Sequence, residues 1–87
     1  MQVISVTKAE YKGDYNILLE FDDGFSGLVN LEKHIEGEVF QPLKSEDYFK
    51  KFSLGTWTIG WENGADFSPE FLYELAKKKL QTAEFNK

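Results

Sequence analysis

Tyr15, Ile17, Leu19 and Phe21 alternate with Asn16, Leu18, Glu20 and Asp22. This two-residue period predicts a strand with one strongly buried face, and Leu18 among the polar positions predicts that the other face is partly covered. The β-branched run from Gln2 to Tyr11 predicts a preceding strand, joined through a hairpin loop at Lys12-Gly13-Asp14. Asp22-Asp23-Gly24 carries the Asp-Gly pair that tolerates the positive φ angles of a type I′ turn, and a third strand should run from Phe25 to Leu31. The three strands read as a meander.

Helical signals follow. Asn30 can cap a short helix through Leu31 to Glu36, with Gly37 placed to end it. Pro42 should keep Gln41 extended and separate this piece from a second short helix, capped by Ser45 and burying Tyr48, Phe49 and Phe52. Strand character returns at Phe52-Ser53-Leu54, turns at Gly55 and resumes from Thr56 to Glu62, with Trp57, Ile59 and Trp61 on one face. Asn63-Gly64 is the strongest two-residue turn signal in the chain. Ser68, Pro69 and Glu70 then begin a helix in the expected order of cap, first-turn proline and acid. Its apolar stripe is Leu72, Leu75 and Ala76, assisted by Phe71 or Leu80, and Lys77, Lys78 and Lys79 should close its C-terminal end. The fold class is therefore α+β: a two-layer domain over residues 1–80, whose antiparallel sheet combines the meander with a later hairpin. Two short helices and a C-terminal helix pack on it, and 81–87 form a frayed tail. Phe21-Asp22-Asp23-Gly24 and Trp61-Glu62-Asn63-Gly64 both place an aromatic three residues before a turn glycine, an echo that shared turn chemistry explains.

Composition narrows the function classes. At 87 residues, 41% hydrophobic and 16% aromatic, the chain can build one ring-rich core, with stability on the order of 4 to 13 kcal/mol. Without cysteine there is no disulfide, thiolate metal site or cysteine nucleophile. The start of the chain lacks signal-peptide features and no apolar run is long enough to span a membrane, so the expected address is cytoplasmic. A net charge of −5 and the absence of arginine argue against direct nucleic-acid binding. The charge is uneven: residues 1–43 hold eight acids and three lysines, whereas 44–87 hold seven of each. That acidic half suits either solvated hairpin faces or a basic partner.

Few residues nominate chemistry. His34 is the sole imidazole and has no serine and acid at a local spacing to complete a triad. No EF-hand or phosphate-loop spacing is present, so neither a cofactor nor a metal is expected. The stretch from Trp61 to Tyr73 stands out. Its turn, cap and packing residues each have a structural task, Asp66 being placed to accept from backbone N–H groups just before the helix. Trp61, Asn63, Asp66 and Tyr73 could in addition line a surface that meets a partner or a small ligand.

Trp61 to Tyr73 resembles the signature W-x-N-G-A-D-x-x-P-E-x-L-Y of the bacterial domain of unknown function 2442 family. Phe21 to Gly24, Val29 to Leu31, Gly37 to Leu43 and Phe49 fall in the family's order, and the resemblance runs from about Val3 to Ala76. It implies a small α+β domain and no established activity, with structural roles for Gly24, Pro42, Gly64, Ser68, Pro69 and Leu72. Asn30 stands where the family usually has aspartate, which keeps the capping role. Some members of that family carry a helix-turn-helix domain after this one, and many are encoded beside a second small protein in pairs resembling toxin–antitoxin modules. Only fourteen residues follow Tyr73 here, too few for such a domain, so action through a partner is expected.

The expected function is a non-enzymatic protein-interaction or regulatory module, one half of such a gene pair. The alternative is a ligand-sensing domain with its pocket near Trp61, Asn63 and Asp66. A long uncovered sheet edge or face would favour association, including a homodimer.

Overall fold

The computed structural model describes residues 4–85, with side chains described as far as Lys78. β1 (Val6–Gly13), β2 (Asn16–Phe21) and β3 (Ser26–Asn30) form an antiparallel sheet in that order. Ile17, Leu19 and Phe21 are buried together with Val6 and Val29, as the two-residue period requires. Between β3 and the next strands lie two 3-10 segments, Glu32–His34 and Glu38–Lys44, and the short helix α1 (Glu46–Phe49). β4 (Ser53–Leu54) and β5 (Ile59–Gly60) make a second, two-stranded sheet, and α2 (Pro69–Phe85) closes the fold. The core continues from the sheet's inner face through Leu31, Leu43, Phe49, Ile59 and Trp61 to Leu72 and Ala76 of α2. Helix and sheet meet closely at Gly27, where a Cβ would lie 3.0 Å from that of Ala76. The architecture is the α+β arrangement expected.

Several local expectations are corrected. The first hairpin turns one residue later than predicted: Gly13 pairs with Asn16, and Asp14 and Tyr15 take φ of 54° and 68° between them. A tyrosine in the left-handed region costs roughly 1–2 kcal/mol. Tertiary contacts repay it, because the ring packs 4.8 Å from Phe49 and the hydroxyl donates to Lys44 C=O at 2.5 Å.

Downstream, Asn30 starts only one 3-10 turn, accepting from the Glu32 N–H at 3.1 Å, and Gly37 precedes the second 3-10 segment instead of ending a helix. Gln41 and Pro42 lie inside that segment, so Pro42 does not act as the expected separator. Short i→i+3 turns accommodate it, Ser45 N–H bonding back to Pro42 C=O at 3.1 Å. Ser45 is the N-cap residue of α1 but its side chain makes no cap bond.

Trp57 does not share a face with Ile59 and Trp61: it is 57% exposed while they are buried. Its carbonyl instead accepts from the Val6 N–H at 2.8 Å, tying the β4–β5 connection to β1. Finally, α2 runs to Phe85, beyond the expected end at residue 80, so Lys77, Lys78 and Lys79 are interior to the helix. Neither glycine nor proline follows the lysines to stop it, and Lys77 Nζ sits 5.3 Å from the Tyr73 ring centroid. Of the expected tail, residues 86 and 87 lie outside the described residues.

Candidate interaction surface

The signature stretch is built around a three-residue loop. Trp61 N–H donates to Ala65 C=O at 2.8 Å and Gly64 N–H to Trp61 C=O at 3.0 Å, with Gly64 at φ 93°. This is a turn closed by a left-handed glycine, in place of a two-residue type I′ loop. The same geometry recurs between β2 and β3. There Phe21 N–H donates to Phe25 C=O at 2.8 Å and Gly24 N–H to Phe21 C=O at 3.0 Å, with Gly24 at φ 91°. In each loop the residue before the glycine accepts from the N–H two positions on: Asp23 from Phe25 at 2.9 Å, Asn63 from Ala65 at 3.1 Å.

The four residues singled out from sequence do not converge on one patch. Trp61 is buried among Phe49, Phe52 and Phe67, and its indole N–H donates to Phe49 C=O at 2.8 Å. Asn63 is exposed, yet its Nδ2 donates to Val39 C=O at 2.8 Å. In a 3-10 segment that carbonyl would take the N–H three residues on, which is Pro42 and has none. Asn63 supplies the missing donor.

Tyr73 packs against Phe21 and Phe25 and donates to Asp23 Oδ2 at 2.6 Å. Asp66 is exposed and, among the described residues, makes no side-chain hydrogen bond of the kind expected before α2. It lines three open clefts: one of about 450 Å³ with Trp57, Ser68 and Glu70, one of about 380 Å³ with His34, Glu36 and Phe71, and one of about 390 Å³ with Trp57, Thr58 and Trp61. At the start of α2, Ser68 Oγ accepts from the Phe71 N–H at 3.1 Å, Pro69 occupies the first turn and Leu72 is fully buried.

Perturbed titration follows the hydrogen bonds. The hydroxyl of Tyr73, then the Phe25 N–H, hold the Asp23 carboxyl below the usual carboxylate range, and the Tyr73 phenol is raised chiefly by the same bond. Glu46 is lowered by the hydroxyl of Tyr11 and then by the Asp14 N–H. The phenols of Tyr11 and Tyr15 are raised first by desolvation and then by Glu46. Both carboxylates are anchors, each spending two acceptor positions within the fold.

The feature that sequence reasoning reached only through Leu18 is the sheet's outer face. Leu18 is 37% and Leu54 44% exposed, and they share an open groove of about 570 Å³ with Thr7, Lys8, Glu10 and Glu20. Leu28 lies opposite Leu18 on β3 and is half-buried. Ion pairs fringe this face, Lys8 to Glu20 at 3.9 Å and Lys12 to Glu10 at 3.2 Å. Leu54 could not be foreseen, because its place beside β1 depends on the β4–β5 excursion. No group of three or more metal-ligating side chains occurs among the described residues, nor any helix long and apolar enough to cross a membrane.

An α+β domain whose three-stranded sheet, among the described residues, leaves Leu18 exposed and Leu28 half-buried on its outer face is thus the class that the fold defines. Residues 6–78 match the family described as Protein of unknown function (DUF2442), and the chain belongs to that family. No curated protein matches the chain. Nor does any solved structure.

Proposed function

We propose that the domain is a non-enzymatic, cytoplasmic protein-interaction module, one partner of a toxin–antitoxin-like gene pair, that meets a basic protein through its sheet. The observation carrying this reading is the outer-face groove, where exposed Leu18 and Leu54 lie inside a rim of Lys8, Glu10 and Glu20. An apolar centre with a charged rim is how protein interfaces are organised. The surplus of acids in residues 1–43 sets the partner's sign.

The test is co-expression with the product of the adjacent gene, followed by size exclusion at about 200 mM salt, where diffuse charge attraction is screened. A co-eluting complex is expected, and Leu18→Glu should weaken it by about tenfold or more through burial of a charge. A neighbour that never co-elutes would sink the gene-pair reading. The clefts meeting at Asp66 favour a second reading, a small-ligand sensor, although the polar groups of Trp61 and Asn63 are already spent within the fold. Thermal-shift screening against metabolites tests it, since any ligand of the folded state raises the midpoint.

A further inference from the structure

The two edges of the main sheet are built differently. β1 is guarded in the ways sheet edges commonly are: it carries Lys8, Glu10 and Lys12, its pairing with β2 shifts register at both ends, and Trp57 C=O takes its Val6 N–H. β3 has none of these guards. Ser26-Gly27-Leu28-Val29-Asn30 holds no charge and no proline, and its register with β2 is unbroken.

Antiparallel pairs alternate between bonded and non-bonded. Phe21 bonds Phe25, and Leu31 N–H donates to Tyr15 C=O at 3.1 Å, so the bonded pairs between them are Leu19–Gly27 and Ile17–Val29. The main-chain N–H and C=O of Ser26, Leu28 and Asn30 therefore point away from the sheet. None of these three N–H groups has a partner among the described residues.

Charge selects the occupant. Exposed Asp22 and Asp23 flank one end of this edge, and exposed Asp14 and Glu32 the other. No ion pair among the described residues involves any of the four. A second copy pairing antiparallel about Leu28 would set the Asp22–Asp23 end of each chain against the Asp14 and Glu32 end of the other, like charge against like at both ends. An extended segment with basic residues at its ends meets the opposite situation.

We infer that β3 is a docking edge for an extended, basic-ended segment of a partner chain, which adds as a fourth strand with an apolar residue opposite Leu28. This rests on the interaction-module reading and supplies its mode of binding. The outer-face groove then continues across Leu18 and Leu28 onto the added strand.

The probe is a synthetic heptapeptide of alternating valine and threonine with a lysine at each end, compared with the same peptide ending in glutamate. Hydrogen exchange read by NMR should show the Ser26, Leu28 and Asn30 amides slowed by about tenfold with the lysine peptide and unchanged with the glutamate one. Ser26→Lys, a substitution that edges tolerate, should lower affinity about tenfold while thermal unfolding stays cooperative. Leu28→Pro removes an N–H that β2 does not use and should abolish protection.

Protection outside β3, absence of protection at millimolar peptide, or concentration-dependent protection without peptide would each overturn the proposal. A complex with the adjacent gene's product that leaves these amides fast overturns the edge and spares the interaction module. Peptide protection without such a complex supports the edge and removes the gene pair.

Discussion

The loops Phe21–Phe25 and Trp61–Ala65 share a backbone and differ in what one side chain does. Each starts from a buried aromatic, closes with a left-handed glycine and uses an Asx oxygen to hold the following N–H. In the first loop Asp23 has a second oxygen, which accepts from Tyr73 and ties β2–β3 to α2. In the second, Asn63 has an amide nitrogen, which donates to Val39 and ties the loop to the 3-10 segment. The amide at Asn63 answers an orphaned carbonyl, which can only accept, whereas the acid at Asp23 answers a hydroxyl, which pairs with either group and more strongly with a carboxylate. Asn63, singled out from sequence for a partner or ligand surface, is like Asp23 a fastener between elements.

The largest effects should come from what the loops have in common. Phe21→Ala and Trp61→Ala each remove a buried ring and should cost about 3–5 kcal/mol in urea unfolding. Against a stability on the order of 4 to 13 kcal/mol, that is a large share and, at the low end, the whole of it. Trp61→Phe separates the ring from its N–H: it keeps most of the packing but leaves Phe49 C=O without its donor, a loss of about 1–3 kcal/mol.

Exchanging the fasteners should break the symmetry. Asn63→Asp cannot donate to Val39 and sets a carboxylate against a carbonyl, so a loss of about 0.5–1.5 kcal/mol is expected. Asp23→Asn keeps its oxygen for the Phe25 N–H and turns an amide N–H toward Tyr73, whose hydroxyl accepts as well as donates, so a neutral bond replaces a charge-assisted one. It should lower the thermal midpoint by less, because it sets no acceptor against another acceptor. Equal effects of the two exchanges would mean that the neighbours' polarity does not govern the choice.

The glycines sharpen the comparison from the other side. Gly24 and Gly64 have nearly the same φ, and a Cβ at either would stand in open space, so only backbone conformation separates them from alanine. Gly24→Ala and Gly64→Ala should each cost about 1–2 kcal/mol and agree within about 0.5. Unequal values would show that the loops are alike in outline only.

These loops also mark how far the amino-acid pattern could be read. Aromatic, acid, Asx and glycine in succession announce a turn, because the Asx and the glycine act locally. The loop length was not legible, since it is decided by which strand residues close the hairpin: Phe21 with Phe25, and Trp61 with Ala65. Asp14 and Tyr15 show the converse case, a turn whose strained tyrosine is held by Phe49 and Lys44, thirty or so residues away in sequence. Strand periodicity foretold the inner face correctly at Ile17, Leu19 and Phe21, and failed at Trp57 because β5 spans only Ile59–Gly60. On the outer face, Leu18 announced partial covering, but its neighbour Leu54 comes from a distant excursion with no local signal.

The smallest expected effect is electrostatic and belongs to one loop alone. Asp23 is held below its ordinary value by Tyr73 and by the Phe25 N–H, so folding favours its ionised form. A group depressed in the folded state contributes stability that is fully present above its unfolded value near 4 and lost as pH falls through the lower folded value. Tyr73 is raised, so its contribution is complete below about 10 and is lost as pH rises through the higher folded value. Tyr73→Phe should therefore move the Asp23 titration, followed through its side-chain carboxyl carbon by NMR, upward toward the ordinary aspartate range. It should leave Glu46, which answers to Tyr11 and Asp14, where it was. The Trp61–Ala65 loop has asparagine at the equivalent place and should keep its Asn63 to Val39 bond unchanged across the same acid range. If Tyr73→Phe leaves the Asp23 titration in place, the hydroxyl is a bystander and the two loops are fastened by packing rather than by complementary polarity.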